Sequence, residues 1–78
     1  MIHMQLNTLK THVKHIKSIT AVGSKGNWIM VFDINHLNDD VCLVSQRMPF
    51  VPRSFSSLNA IANIAMDLGI NRMDIKYD

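Results

Sequence analysis

The longest β-rich run in the chain is Trp28-Ile29-Met30-Val31-Phe32-Asp33-Ile34-Asn35, in which bulky side chains occupy alternate positions. Because successive side chains of a strand point to opposite faces, Trp28, Met30, Phe32 and Ile34 would share one face. The other face would be apolar at one end and polar at the other, where Asp33 and Asn35 lie. The run therefore predicts a central strand with one strongly hydrophobic face, against which the rest of the chain packs.

Two more strands are predicted beside this central strand. Residues 18–22 are β-rich and are joined to it by residues 23–27, whose two glycines and one asparagine are typical of a tight hairpin. Residues 36–40 have a composition typical of a turn. This short connection predicts that residues 41–47 form a third strand, antiparallel to the second. Two prolines then exclude regular structure from residues 48–53.

Two helices and a final strand complete the prediction. Apolar residues recur three and four apart over residues 6–17 and again over residues 58–68, which predicts two amphipathic helices. Ser56 or Ser57 would cap the second helix and Gly69 would end it. Residues 73–77 then alternate as a half-buried strand. The predicted fold is a single α+β domain, residues 1–78, of order α-β-β-β-α-β, with a mainly antiparallel four-stranded sheet and two helices on one face.

Size and composition limit the class of protein. The chain has 78 residues, 47% of them hydrophobic, which is typical of a globular domain rather than a disordered one. Cys42 is the only cysteine, so an intrachain disulfide is excluded and a reducing compartment is favoured. The chain contains neither a secretory signal pattern nor an apolar segment long enough to span a bilayer. We therefore expect a cytoplasmic protein with no membrane partner.

Positive charge is concentrated in the first part of the chain. Residues 1–32 contain no acid, and all six acids are aspartates that begin at Asp33. The cations of this segment are Lys10, Lys14, Lys17 and Lys25. The first three fall on one side of the predicted helix, which predicts a cationic ridge suited to an anionic partner. A solvated, lysine-rich helix face is the alternative interpretation, and a net charge of +2 leaves both open.

A second candidate group brackets the proline-containing segment. Arg47 and Arg53 are interleaved with Phe50 and Phe55. Guanidinium groups suit phosphates, and aromatic faces suit unstacked bases, so this pattern favours contact with nucleic acid. The alternative is that the phenylalanines fill the core beneath the loop. This is favoured for Phe55 because it precedes a helix, whereas for Phe50, which lies between two prolines, both interpretations stay open.

The patterns that could carry catalysis or metal binding are incomplete. His12 and His15 form an H-x-x-H pair, but a closed metal site would need two further ligands from elsewhere. The glycine-rich residues 23–27 lack the following helix that a phosphate-binding loop needs. Cys42 falls inside a predicted strand and is expected to be a small core residue. Because the chain has no glutamate either, we expect no enzymatic activity, no metal and no cofactor.

The second half of the chain resembles a tail found in small accessory proteins of plasmids and phages. The residues that carry the resemblance are Pro52-Arg53-Ser54-Phe55-Ser56-Ser57-Leu58-Asn59-Ala60, followed by Leu68-Gly69-Ile70 and Ile75. The resemblance covers about a third of the chain and assigns no functional residue. It implies an origin in a mobile genetic element.

These observations predict a small non-enzymatic binding protein. The first hypothesis is a nucleic-acid-binding or regulatory module that uses the Lys and Arg side chains named above together with Phe50. The alternative is a phage- or plasmid-encoded inhibitor or adaptor that binds an acidic protein surface and modulates a host nucleoprotein complex. The second face of the sheet, with Ile29, Val31 and Val44, is predicted to meet a partner or to form a homodimer.

Overall fold

The computed structural model describes residues 1–78 and has an α+β fold, as the sequence predicts. The strands are β1 (Ile2–Gln5), β2 (Ile16–Ser24), β3 (Asn27–Ile34), β4 (Val41–Val44) and β5 (Asp74–Tyr77). The helices are α1 (Leu6–Thr11), a short 3-10 helix (Val13–His15) and α2 (Leu58–Asp67).

All five strands belong to one mixed sheet with the order β1-β4-β3-β2-β5. β3 is antiparallel to both of its neighbours, β2 and β4, while β1 is parallel to β4 and β5 is parallel to β2. The predicted sheet is thus corrected in two respects: it has five strands rather than four, and it is mixed rather than mainly antiparallel. β1 was not predicted because four residues directly before a helix give too little alternation to detect. The parallel pairs were not predicted because they depend on long-range contacts.

The first helix is shorter than predicted. α1 ends at Thr11, a 3-10 turn follows, and β2 begins at Ile16, so the helix predicted over residues 6–17 is wrong in its second half. β-branched residues in this segment lower helix propensity and favour extended structure. Pairing with β3 then decides the outcome: Ile16 lies opposite Ile34, and the Asn35 N–H donates to the His15 carbonyl at 2.8 Å.

The core lies on the face of the sheet predicted to be hydrophobic. Its centre is the β3 set Trp28, Met30, Phe32 and Ile34, all buried. Leu9 of α1 and Ile61 of α2 belong to the same buried cluster, so both helices contribute side chains to this one core. Phe32 is fully buried, and burial of such a side chain stabilises the fold by about 1.5–3 kcal/mol.

The opposite side of the sheet is called the open face here. Strand register places one residue of each strand in a row across it: His3, Cys42, Val31, Thr20 and Asp74. The inner residues of this row are apolar or small, while the two outermost are polar. The open face therefore has an apolar centre between polar edges.

Residues 45–55 form an excursion that leaves the sheet and returns to it. β4 ends at Val44 rather than at Arg47 as predicted. The chain returns where the Arg53 N–H donates to the Leu43 carbonyl at 2.9 Å, and Phe55 and Trp28 exchange two backbone hydrogen bonds. Because proline has no N–H to donate, the segment between these anchors cannot extend the sheet.

The second helix follows its sequence signals. The Ser57 hydroxyl accepts the Ala60 N–H at 3.3 Å, which caps α2 as predicted. Gly69 adopts a φ of +81°, and the Ile70 N–H donates to the Ala65 carbonyl at 2.9 Å, which closes the helix. The following strand differs from its prediction: all four residues of β5 are exposed, because it lies at the edge of the sheet.

Candidate nucleic-acid interface

Strand direction gives the molecule two distinct ends. β1, β2, β4 and β5 run the same way, and β3 runs against them. The end that carries the β2–β3 turn is called the hairpin end here. It also carries residues 45–57 and the start of α2, because Phe55 pairs with Trp28 at the beginning of β3. The other end carries the β3–β4 turn and the end of α2, while β5 begins opposite Thr20, midway along β2.

Acidic residues are concentrated at the end opposite the hairpin. Four of the six aspartates lie in or beside the elements that meet there: Asp33, Asp39, Asp40 and Asp67. Asp74 lies opposite Thr20, midway along the sheet, and only Asp78 follows an element that finishes at the hairpin end. The hairpin end is therefore nearly free of carboxylates, a property that the order of residues in the chain does not show directly.

The predicted cationic residues divide between the two ends. Lys25, Arg47 and Arg53 lie at the hairpin end, on the β2–β3 turn and on the 45–55 excursion. Lys14 and Lys17 lie at the other end, in the 3-10 helix and at a bulge of β2 where the register shifts between Ile16 and Ser18.

Lys10 is in the last turn of α1. The three lysines thus do not form the single helical ridge that their spacing predicts, because the helix that would align them ends at Thr11.

The 45–55 excursion presents an apolar tip. Phe50 is 83% exposed, and Met48 and Val51 beside it are also exposed. The tip is folded by a turn in which the Met48 N–H donates to the Ser45 hydroxyl at 3.2 Å and the Val51 N–H reaches the Met48 carbonyl at 3.4 Å. The two interpretations of the phenylalanines are thereby separated: Phe55 is buried in the core, whereas the Phe50 ring faces solvent.

One side-chain contact connects this excursion to the hairpin, and a second lies within the excursion. The Ser54 hydroxyl donates to the Asn27 side-chain oxygen at 2.7 Å, which joins the returning chain to the turn that carries Lys25. The Arg53 guanidinium carbon lies 4.8 Å from the centre of the Phe55 ring. A cation over an aromatic face is attracted to it, so Phe55 restrains the Arg53 side chain while leaving its N–H groups available.

None of the Lys or Arg side chains is neutralised by a carboxylate. The single ion pair in the structure joins the Met1 ammonium to Asp39 at 2.8 Å, at the end opposite the hairpin. Lys25, Arg47 and Arg53 are all exposed. Their charges are therefore free to act on a ligand without first breaking an internal salt bridge.

Tyr77 is a residue of this region that was not predicted from the sequence. It ends β5 and borders a surface groove with Lys25 and the first residues of α2, and its ring lies 5.5 Å from that of Trp28. More than fifty positions separate Lys25 from Tyr77 in sequence, and only the parallel pairing of β2 with β5 brings them together. Sequence patterns within a short window could not find this neighbour.

His12, His15 and Cys42 are the residues considered for metal binding or thiol chemistry. His12 directly follows α1 as its C-cap residue, while the His15 ring makes an edge contact with the His36 ring, with the ring centres 4.7 Å apart. No group of three or more metal-ligating side chains is present. Cys42 is buried as predicted, and burial is the main cause that raises the pKa of its thiol. A raised pKa keeps the thiol in its less nucleophilic protonated form at neutral pH.

The predicted partner residues of the sheet share the open face but differ in exposure. Ile29 and Val31 are half-buried, whereas Val44 is buried by its surroundings. Val44 consequently offers little surface to a partner, and the accessible apolar area of the face depends on its β3 and β2 residues.

Comparison with models of protein families, with curated proteins and with solved structures found no match to this chain. Neither α1 nor α2 has the length and apolar composition of a bilayer-spanning segment.

Proposed function

We propose that this protein is a non-enzymatic nucleic-acid-binding module whose contact surface is the hairpin end. The observation that carries the proposal is that three unpaired cations, Lys25, Arg47 and Arg53, lie at the same end of the molecule as the exposed ring of Phe50. Four of the six aspartates lie at the other end, where Lys14, Lys17 and Arg72 partly offset them, whereas Asp78 is the one aspartate at the hairpin end. The resulting field should attract a polyanion more strongly to the hairpin end than to the other end.

The contacts divide into two chemical roles. Lys25, Arg47 and Arg53 would bind phosphates, and the guanidinium groups suit this because their planar donors can bind two oxygens at once. Phe50 would stack on a base. A base offers its face only when it is unpaired, so the exposed ring favours single-stranded over double-stranded nucleic acid.

The anchoring of the excursion supports a binding role for it. Residues 45–55 follow β4 directly at one end. At the other end they are held by backbone hydrogen bonds from Arg53 to Leu43 and between Phe55 and Trp28, and by the Ser54–Asn27 contact. A segment that is already ordered loses less conformational entropy on binding than a free loop does. The tip, which the Ser45 and Met48 contacts already fold, can therefore present Phe50 without first having to fold.

The first test measures binding of labelled single-stranded DNA and RNA by fluorescence polarisation at several salt concentrations. We expect affinity to fall with rising salt, with a log–log slope of about −2 if three phosphates are contacted. Duplexes of the same length should bind more weakly. The variant with Lys25, Arg47 and Arg53 all changed to Ala should lose about 100-fold in affinity at low salt.

A matched control carries the same change in net charge at other positions. The Lys10→Ala, Lys14→Ala, Lys17→Ala variant also loses three cations, but two of these lie away from the hairpin end. We expect its affinity to fall by less than about fivefold, because only the long-range attraction between the positive charges of the protein and the oligonucleotide is weakened. Equal losses in the two variants, or no binding by the original protein at low salt, would contradict the proposal.

A protein-binding adaptor is the second candidate, and the open face favours it. The apolar centre and polar edges of that face have the anatomy of a protein interface. Under this alternative, the chain would modulate a host nucleoprotein complex through that face or through an acidic surface that meets the cations. A stoichiometric protein partner that survives nuclease treatment and is lost in Val31→Lys would favour the adaptor over the nucleic-acid proposal.

We place both activities in the cytoplasm and in the context of a mobile genetic element. Support for this setting comes from the single cysteine and from the resemblance of the second half of the chain to plasmid and phage accessory proteins.

A further inference from the structure

The outer edge of β5 is the most exposed apolar edge of the sheet. Among strand residues, the exposed large apolar side chains are Ile75 and Tyr77, which are 45% and 71% exposed. Met66 of α2 is 67% exposed and borders the groove between α2 and the start of β5, with Ala62 and Met73. Exposed apolar groups beside an unpaired strand mark a surface that another strand can cover.

The backbone of β5 has free hydrogen-bonding groups along this edge. The Asp78 N–H donates to the Gly23 carbonyl of β2 at 2.9 Å. Because successive backbone groups of a strand point in opposite directions, Asp74 and Lys76 also direct their N–H and C=O groups at β2. The corresponding groups of Ile75 and Tyr77 point away from the sheet and can receive another strand.

We propose that a second copy of this chain pairs with that edge, β5 against β5 in antiparallel orientation, with Ile75 opposite Ile75 at the two-fold axis. The inference does not depend on nucleic-acid binding. It assigns self-association to the sheet edge rather than to the open face on which Ile29, Val31 and Val44 lie.

The pattern of side chains selects this register. With Ile75 at the axis, Asp74 of each copy lies opposite Lys76 of the other, which gives two symmetric attractive pairs on the open face. The outward N–H and C=O groups of Ile75 also meet directly, so the central pair is hydrogen-bonded. A register centred on Lys76 would instead oppose Lys76 to itself and Asp74 to Asp78, and both like-charge contacts are unfavourable.

On the helix side of the sheet, the same register brings complementary side chains of the two copies together. Tyr77 of one copy lies opposite Met73 of the other, beside the groove that Met66 and Ala62 border. Thioether sulfur atoms make favourable contacts with aromatic rings, so this groove suits the ring of Tyr77 from the second copy. By contrast, β1 at the other edge carries no pair of opposite charges, since its residues are Ile2, His3, Met4 and Gln5.

The first measurement is the mass of the intact chain by light scattering and sedimentation equilibrium over a range of concentrations. We expect the mass to rise from 8.9 kDa at low concentration to twice that value at about 1 mM, because a four-residue edge gives a small and weak interface. A mass that stays at 8.9 kDa throughout overturns the proposal.

A charge-swap series tests the register. Lys76→Asp alone places like charges opposite each other and should weaken the dimer about tenfold, and so should Asp74→Lys alone. The double variant, Asp74→Lys with Lys76→Asp, should restore the original dissociation constant, since it only exchanges the partners. Both residues are exposed, so each variant should keep the circular-dichroism spectrum of the folded chain.

Two further variants test whether the dimer forms through the β5 edge or through the open face. Ile75→Pro removes an outward N–H that makes no bond to β2, and should give a monomer that remains folded. Val31→Lys changes the open face and should leave the dimer intact. Dissociation by Val31→Lys, or single swaps that have no effect, would overturn the assignment to the β5 edge.

Discussion

At the scale of single residues, Phe50 distinguishes a stacking surface from a purely electrostatic one. Its ring is 83% exposed, so it contributes almost nothing to the core. We predict that Phe50→Ala lowers affinity for a single-stranded oligonucleotide about 10- to 100-fold, since stacking on one base contributes about 1–3 kcal/mol. The free energy of unfolding should change by less than about 0.5 kcal/mol.

The matched control for Phe50 keeps an aromatic ring at the same position. Phe50→Trp should retain the affinity, whereas Phe50→Leu, which keeps apolar bulk without a π face, should lose most of it. Polarisation titrations and urea unfolding measure the two quantities separately. If Leu binds as well as Phe, the ring acts as general apolar surface and the stacking role is wrong.

At the scale of elements, the β2–β3 hairpin positions Lys25 and depends on a glycine before the turn. Gly23 has a φ of +150°, and a Cβ there would overlap the Asn27 carbonyl oxygen. We predict that Gly23→Ala costs about 2–4 kcal/mol of folding stability, from backbone strain together with this collision. Urea unfolding followed by the fluorescence of Trp28, the only tryptophan, measures it.

Gly26 provides the comparison within the same hairpin. It also has a positive φ, +82°, but a Cβ there would meet nothing within 4 Å. Gly26→Ala should therefore cost only the strain of the left-handed conformation, about 1–2 kcal/mol. Equal destabilisation by the two substitutions would show that the close approach of Gly23 to Asn27 is unimportant.

Elements defined by local patterns were predicted well from the sequence. The β3 run, the Ser57 cap and the Gly69 stop each depend on residues close together in the chain, and the structure confirms all three. β1 and the true end of α1 were missed because both depend on pairing with residues more than fifteen positions away. Long-range pairing overrides helix periodicity when β-branched residues make the helix marginal.

The candidate site was predicted only in part, because local patterns identify some of its residues and a long-range contact brings in another. Arg47, Phe50 and Arg53 are close in sequence, and they remain together at the hairpin end. Lys25 joins them through the Ser54–Asn27 contact, which no local pattern indicates. Lys14 and Lys17 were grouped with Lys10 on the assumption of a continuous helix, and the early end of α1 separates them.

At the scale of the whole molecule, the distribution of charge matters more than its sum. A net charge of +2 on 78 residues indicates little. Four of the six aspartates lie at one end, where they offset Lys14 and Lys17, whereas Lys25, Arg47 and Arg53 share the other end only with Asp78. Such a polarity orients a polyanion before contact and raises the association rate at low salt. It also predicts which residues a ligand should touch.

The most direct test of this account is a map of backbone amide chemical shifts by NMR during titration with a single-stranded oligonucleotide. We predict that the largest changes fall in residues 24–27 and 45–57, with weak changes in residues 36–40 and around Asp67 at the acidic end. Changes concentrated instead on the open face, around Val31 and Thr20, or spread evenly over both ends of the molecule, would contradict binding at the hairpin end.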